Sequence, residues 1–165
     1  MKQTYRVLSG LIALGVVVQA MAIALGGFGV LHDVDNGLVV DKNFEPNFGQ
    51  TLHGIDGMYV IPLLGLVLLI VSFFAAKTVP GAPKWAAIVF GLIVLQVVLA
   101  FVSFSAPVVG ALHGINAFAV LGTAIRASML ARGSGAARSS VTGAFEVPQQ
   151  VAGSSAPEAS RRPVN

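Results

Sequence analysis

The sequence predicts an all-α fold: an integral membrane, up-down bundle of four helices built from a tandem two-helix repeat. Three observations carry this. Of 165 residues, 55% are hydrophobic and only 10% are charged, and the mean hydropathy is +0.82, whereas soluble domains are about a quarter charged. The apolar residues gather in four long runs parted by polar or helix-breaking segments. The string Leu52-His53-Gly54-Ile55-Asp56-Gly57 returns 60 positions later as Leu112-His113-Gly114-Ile115-Asn116-Ala117, each time opening an apolar run.

The first crossing is expected over about 7–30, because Val7 to Val30 holds no charge and roughly 20 apolar residues cross a bilayer. A basic start followed by an apolar run also fits a signal peptide, but this run exceeds the usual h-region of about 7–15 residues. His32 to Gln50 follows as an acidic loop, with Asp33, Asp35, Asp41 and Glu45 against Lys42. Asn36-Gly37 marks a turn there. Leu38-Val39-Val40 suits either a short strand or the membrane surface.

The second crossing is expected over about 51–76. Thr51 is a candidate N-cap, and Pro62 should kink the helix and free one backbone carbonyl. Pro80, Gly81 and Pro83 break the chain before the third crossing, about 85–104, which Trp85 opens at the interface. Ser105-Ala106-Pro107 allows a tight turn into the fourth crossing, about 108–130, with Pro107 suited to a first helical turn. Together these make a four-helix domain over 1–132. From 133 to 165 the chain is rich in Gly, Ala, Ser and Pro, a composition too poor in apolar surface to offset the cost of ordering, so this tail is expected to be disordered.

Charge orients the bundle. Lys2 and Arg6, Lys77 and Lys84, and Arg132, Arg138, Arg161 and Arg162 all fall on one side of four crossings, and the acidic loop falls on the other. The positive-inside rule places the basic side, with both termini, in the cytoplasm. The expected setting is the cytoplasmic membrane, with the lipid bilayer as first partner. The net charge of +3 is accounted for by orientation and does not call for nucleic acid. Cysteine is absent, which excludes thiolate catalysis, disulfides, cysteine-based zinc sites and iron–sulfur clusters.

The repeat places His53 and His113 at one depth on helices that run in the same direction. Gln19 and Gln96 recur in the helix before each. Bundle cores draw cofactor ligands from facing helices, so His53 and His113 are candidate axial ligands of a heme b iron. Gly54 and Gly114 would leave clearance beside them, as would Gly57, and Tyr59, Phe101, Phe104 and Phe118 could pack against a macrocycle. Asp56 and Asn116 stand three residues after the histidines, on the same helix face. Asp56 could orient an imidazole as a second acceptor, or face the headgroup layer. The alternative for the histidines is a structural one, as polar glue between membrane helices at about 0.6 kcal/mol a contact. Gln19 and Gln96 read as helix–helix hydrogen-bonding residues. His32, beside Asp33, reads as solvated or as a surface metal ligand.

The run Gln96-Val97-Val98-Leu99-Ala100-Phe101, followed by Pro107-Val108-Val109-Gly110-Ala111-Leu112-His113-Gly114-Ile115-Asn116-Ala117, resembles the ligand-bearing helix pair in one half of heme A synthase. The chain also resembles small four-helix membrane proteins of unassigned function common in actinobacteria. The resemblance spans about Val7 to Leu130. It implies that His53 and His113 correspond to an axial pair on the second and fourth helices. The synthase carries an acidic residue shortly before its first histidine and an arginine after it, where this chain has Gln50 and Gly54. The synthase also has two halves, and this chain corresponds to one. The resemblance therefore implies a heme-holding half-bundle without the oxidising chemistry.

Three functions follow as expectations. The first is a b-type heme protein of electron transfer or heme handling. The second is a non-catalytic accessory or assembly subunit of a larger membrane complex. The third is a small transporter or proton conductor using Asp56, although the repeat is parallel rather than inverted as in many transporters. No catalytic residue is assigned.

Overall fold

The computed structural model describes the backbone of residues 1–144 and the side chains of residues 1–133. It is all-helical among the described residues, with α1 at Lys2–Asp35, α2 at Phe48–Ala75, α3 at Ala82–Ser105 and α4 at Val109–Ala144. All four are long and apolar enough to cross a membrane. Much of their large apolar surface, including Leu14, Met21, Phe28, Phe73 and Phe104, is exposed on the outside of the bundle. That is the pattern of a chain whose solvent is lipid.

Each helix runs past the apolar run that foretells it, because capping chemistry rather than hydropathy ends a helix. α1 stops where Gly37 adopts φ +97°. Gly37 N–H donates to Val34 O at 3.0 Å and Leu38 N–H to Asp33 O at 2.9 Å, the paired bonds of a Schellman ending. Leu38 to Val40 then run as exposed loop, with no strand.

The N-cap of α2 is Asn47, not Thr51. Asn47 Oδ1 accepts from Gln50 N–H at 3.1 Å, and Gln50 Oε1 accepts from Asn47 N–H at 3.0 Å. This reciprocal box satisfies two orphan donors. Asn47 Nδ2 also donates to Gly26 O at 2.9 Å, which fixes the start of α2 to α1.

Pro62 acts on the turn before it. Asp56–Val60 is π-helical, and Ile61 N–H donates to Asp56 O. Proline offers no N–H, and its ring crowds the carbonyl four residues back, and the expected disturbance takes the form of a helix widened by one residue. Such bulges often sit at functional sites, and Asp56 stands at the start of this one.

Beyond α2, Gly81 turns the chain at φ +82°, and Pro83 lies in the first turn of α3. α4 continues past Leu130 and Arg132 to Ala144. The rest of the segment expected to be disordered, 145–165, lies outside the described residues.

Helix α1 packs on α2 and α4, and α3 packs on the same two. Thus α2 and α4 stand across a diagonal. The core fills only one end of this ring, the end of the chain start and the α2–α3 connector. Tyr5, Ile12, Leu68, Val89, Val120 and Ala127 are buried there, and Tyr5 Oη donates to Ala82 O at 3.2 Å. Towards the acidic loop the buried side chains thin out to Ala22, Asp56 and Asn116. At that end α1 and α2 cross almost in contact at Gly26 and Gly49, where a Cβ on Gly49 would lie 2.6 Å from Ala22 O.

Candidate functional site

His53 on α2 and His113 on α4 come together across the diagonal. Their ring centroids are 6.3 Å apart, with 58° between ring planes. Each side chain is half-buried.

Each histidine is held by the glutamine of the preceding helix through the same pair of bonds. His53 Nδ1 lies 3.2 Å from Gln19 O, and Gln19 Nε2 donates to His53 O at 2.9 Å. His113 Nδ1 lies 3.1 Å from Gln96 O, and Gln96 Nε2 donates to His113 O at 3.0 Å. A main-chain carbonyl only accepts, so Nδ1 must carry the hydrogen in both rings. In the neutral ring this leaves Nε2 with the free lone pair, the arrangement in which an imidazole ligates a metal. The two tautomers are thus fixed by backbone atoms.

Asp56 and Asn116 are both buried, and each meets the glutamine of its own half. Asp56 Oδ2 accepts from Gln19 Nε2 at 3.0 Å. Asn116 Nδ2 donates to Gln96 Oε1 at 2.6 Å and to Leu92 O at 2.9 Å. Asp56 therefore does not orient the imidazole directly. The Gln19 carbonyl does that, and Asp56 holds the Gln19 amide. The glutamines are interhelical hydrogen-bonding residues, as their type suggests. The polar cluster has no buried side-chain nitrogen or oxygen without a partner among the described residues.

The glycines divide. A Cβ on Gly57 would come within 3.1 Å of Gln19 Oε1, so this glycine makes room for the glutamine amide rather than for space beside an imidazole. A Cβ on Gly54 or Gly114 would meet no protein atom within 4 Å. Tyr59, Phe101, Phe104 and Phe118 are exposed on the surface, not packed between the histidines. The 36–47 side of His32 is also separate: Asn36 Nδ2 donates to its carbonyl at 2.8 Å, an end-of-helix contact remote from the pair. No group of three or more His, Cys, Asp or Glu side chains gathers to hold a metal among the described residues.

No protein-family model matches this chain, and neither a curated protein nor a solved structure matches it significantly.

Proposed function

We propose that this is a b-type heme protein of the cytoplasmic membrane, with the heme iron held between His53 and His113, serving electron transfer or heme handling. The observation that carries the reading is the pair of imidazoles on opposed helices, each with Nδ1 on a glutamine carbonyl, and 6.3 Å between centroids. An imidazole nitrogen lies about 1.1 Å from its ring centre and about 2 Å from a metal it binds. Two imidazoles across one iron therefore have centroids about 6 Å apart.

The donor set also fits. A porphyrin supplies four of the six iron positions, so two protein nitrogens complete it, whereas a metal ion held by protein alone needs more donors than this pair provides. The sparsely filled loop end of the bundle suits a flat group, and a Cβ at the exposed Gly54 or Gly114 would meet no protein atom within 4 Å. Bound there, heme would supply one-electron redox chemistry. The chain's own residues would hold the iron (His53, His113), fix the tautomers (Gln19, Gln96) and brace the glutamines (Asp56, Asn116).

Matching bonds in the two halves support a tandem two-helix repeat as the origin of the site. By the positive-inside rule, the basic ends support a cytoplasmic chain start and α2–α3 connector, with the site near the outer face.

The test is the reduced-minus-oxidised absorption spectrum of protein purified after expression with added heme. Sharp α and Soret bands at about one heme per chain are expected, lost in both His53→Ala and His113→Ala. A folded, helical and colourless wild-type protein would refute the proposal.

A further inference from the structure

We infer that the Asp56 carboxylate sets the reduction potential of the site, acting as a positioning and electrostatic residue on one side only. The inference rests on the heme reading above and deepens it. The two halves match in their glutamines and histidines but differ in charge at one place. Asp56 follows His53 and Asn116 follows His113, and both are buried, at 9% and 7% exposure.

Among the described residues Asp56 makes hydrogen bonds but no ion pair. Its Oδ2 accepts from the neutral Gln19 amide, and its own N–H donates to His53 O. On α1, which packs against it, Arg6 and His32 each lie thirteen residues from Gln19, and Lys42 lies in the loop that follows α1. Past the end of α2, in the connector, Lys77 lies twenty-one residues on. On α3 Lys84 lies twelve residues before Gln96, and on α4 Arg126 lies ten residues after Asn116. At 1.5 Å per residue those on the helices lie roughly 15–20 Å away along the helix axis.

Ionised, Asp56 carries a negative charge one helical turn from His53, and in a surround of low dielectric such a charge acts on the iron far more strongly than it would in water. It favours the ferric state, which carries one more positive charge than the ferrous state. Burial and the charges around the ligands are the levers by which a protein tunes such a potential. Asp56 meets Gln19 as Asn116 meets Gln96, so the two halves share the contact and differ in the charge.

The experiment is a spectroelectrochemical titration of the heme-loaded full-length protein. Asp56→Asn is nearly isosteric, and its Oδ1 can still accept from Gln19 Nε2, so it removes the charge and keeps the bond. The midpoint potential should shift upward in Asp56→Asn and stay near wild type in Asp35→Asn. Asp35 is an exposed carboxylate sixteen residues beyond Gln19, about 24 Å along α1. Asn116→Asp, which adds a charge on the other side, should shift it downward, and it decides the matter if Asp56→Asn does not fold. An unmoved potential in a folded, heme-loaded Asp56→Asn overturns the inference and leaves the heme reading standing. So does an equal shift in Asp35→Asn, or, where Asp56→Asn fails to fold, an unmoved or raised potential in Asn116→Asp. A colourless wild-type protein overturns both.

Discussion

Gln19 serves the site through two different parts of itself. Its carbonyl fixes the His53 tautomer, and its side-chain amide ties α1 to the His53 carbonyl and to Asp56. Replacing it separates the two. Gln19→Leu keeps the carbonyl and removes both amide bonds, leaving a buried carboxylate without its donor. Contacts of this type between membrane helices average about 0.6 kcal/mol, and a stranded buried acceptor costs about 1–3 kcal/mol. Gln19→Leu should therefore lower stability by roughly 2 kcal/mol, read by chemical denaturation in detergent, while the heme bands persist in weakened form. Unchanged stability would show that the amide bonds contribute nothing.

At this scale the histidines and the glutamine pairs stand out in the sequence, because a polar residue in an apolar run is conspicuous. The acceptors of the imidazoles do not, because they are backbone atoms. Asp56 looked like a partner for His53 by its three-residue spacing. The reach of the Gln19 amide gives it a different partner, as that of Gln96 does for Asn116. Gly57 looked like clearance for a cofactor and proves to be clearance for Gln19.

Among the elements, α2 is the one whose position the site depends on, and it is anchored at its loop end. Asn47 caps it and bonds Gly26 O, and Gly49 lies against the α1 backbone. Gly49→Val forces a side chain into Gly26 and Ala22, with backbone on both sides and nothing able to yield. The helices must part, and His53 moves with α2. Loss of most bound heme is expected, with helical content by circular dichroism nearly unchanged. Wild-type heme occupancy in this variant would contradict the close crossing.

The four crossings were legible from hydropathy to within a few residues on their inner bounds, since burial in lipid demands continuous apolar runs. Their ends were not. The Asn47-x-x-Gln50 capping box was present in the sequence, but it lies outside the apolar run, and Thr51 stood closer to it. Pro62 announced a disturbance. That the disturbance takes the form of a widened turn depends on what the neighbouring helix can accept, and sequence alone does not carry that.

For the whole molecule, the ring order of the helices puts α2 and α4 on a diagonal, so residues far apart in sequence converge near the axis. The core is concentrated at the connector end, and the loop end holds the histidines in a thinner shell. This division suits a stable base that carries a site above it. Charge predicts the orientation, and the absence of native cysteine makes it easy to measure. In intact spheroplasts, Asn43→Cys should react with a membrane-impermeant maleimide, and Thr78→Cys should react only after permeabilisation. The reverse pattern would place the site at the cytoplasmic face.

The account stands on one iron bound by two imidazoles. The most direct measurement is the electron paramagnetic resonance spectrum of the ferric, heme-loaded protein. A low-spin signal is expected from the wild-type protein, replaced by a high-spin signal or by loss of heme in His53→Ala and in His113→Ala. A high-spin wild-type spectrum, or a low-spin signal that survives either substitution, would contradict it.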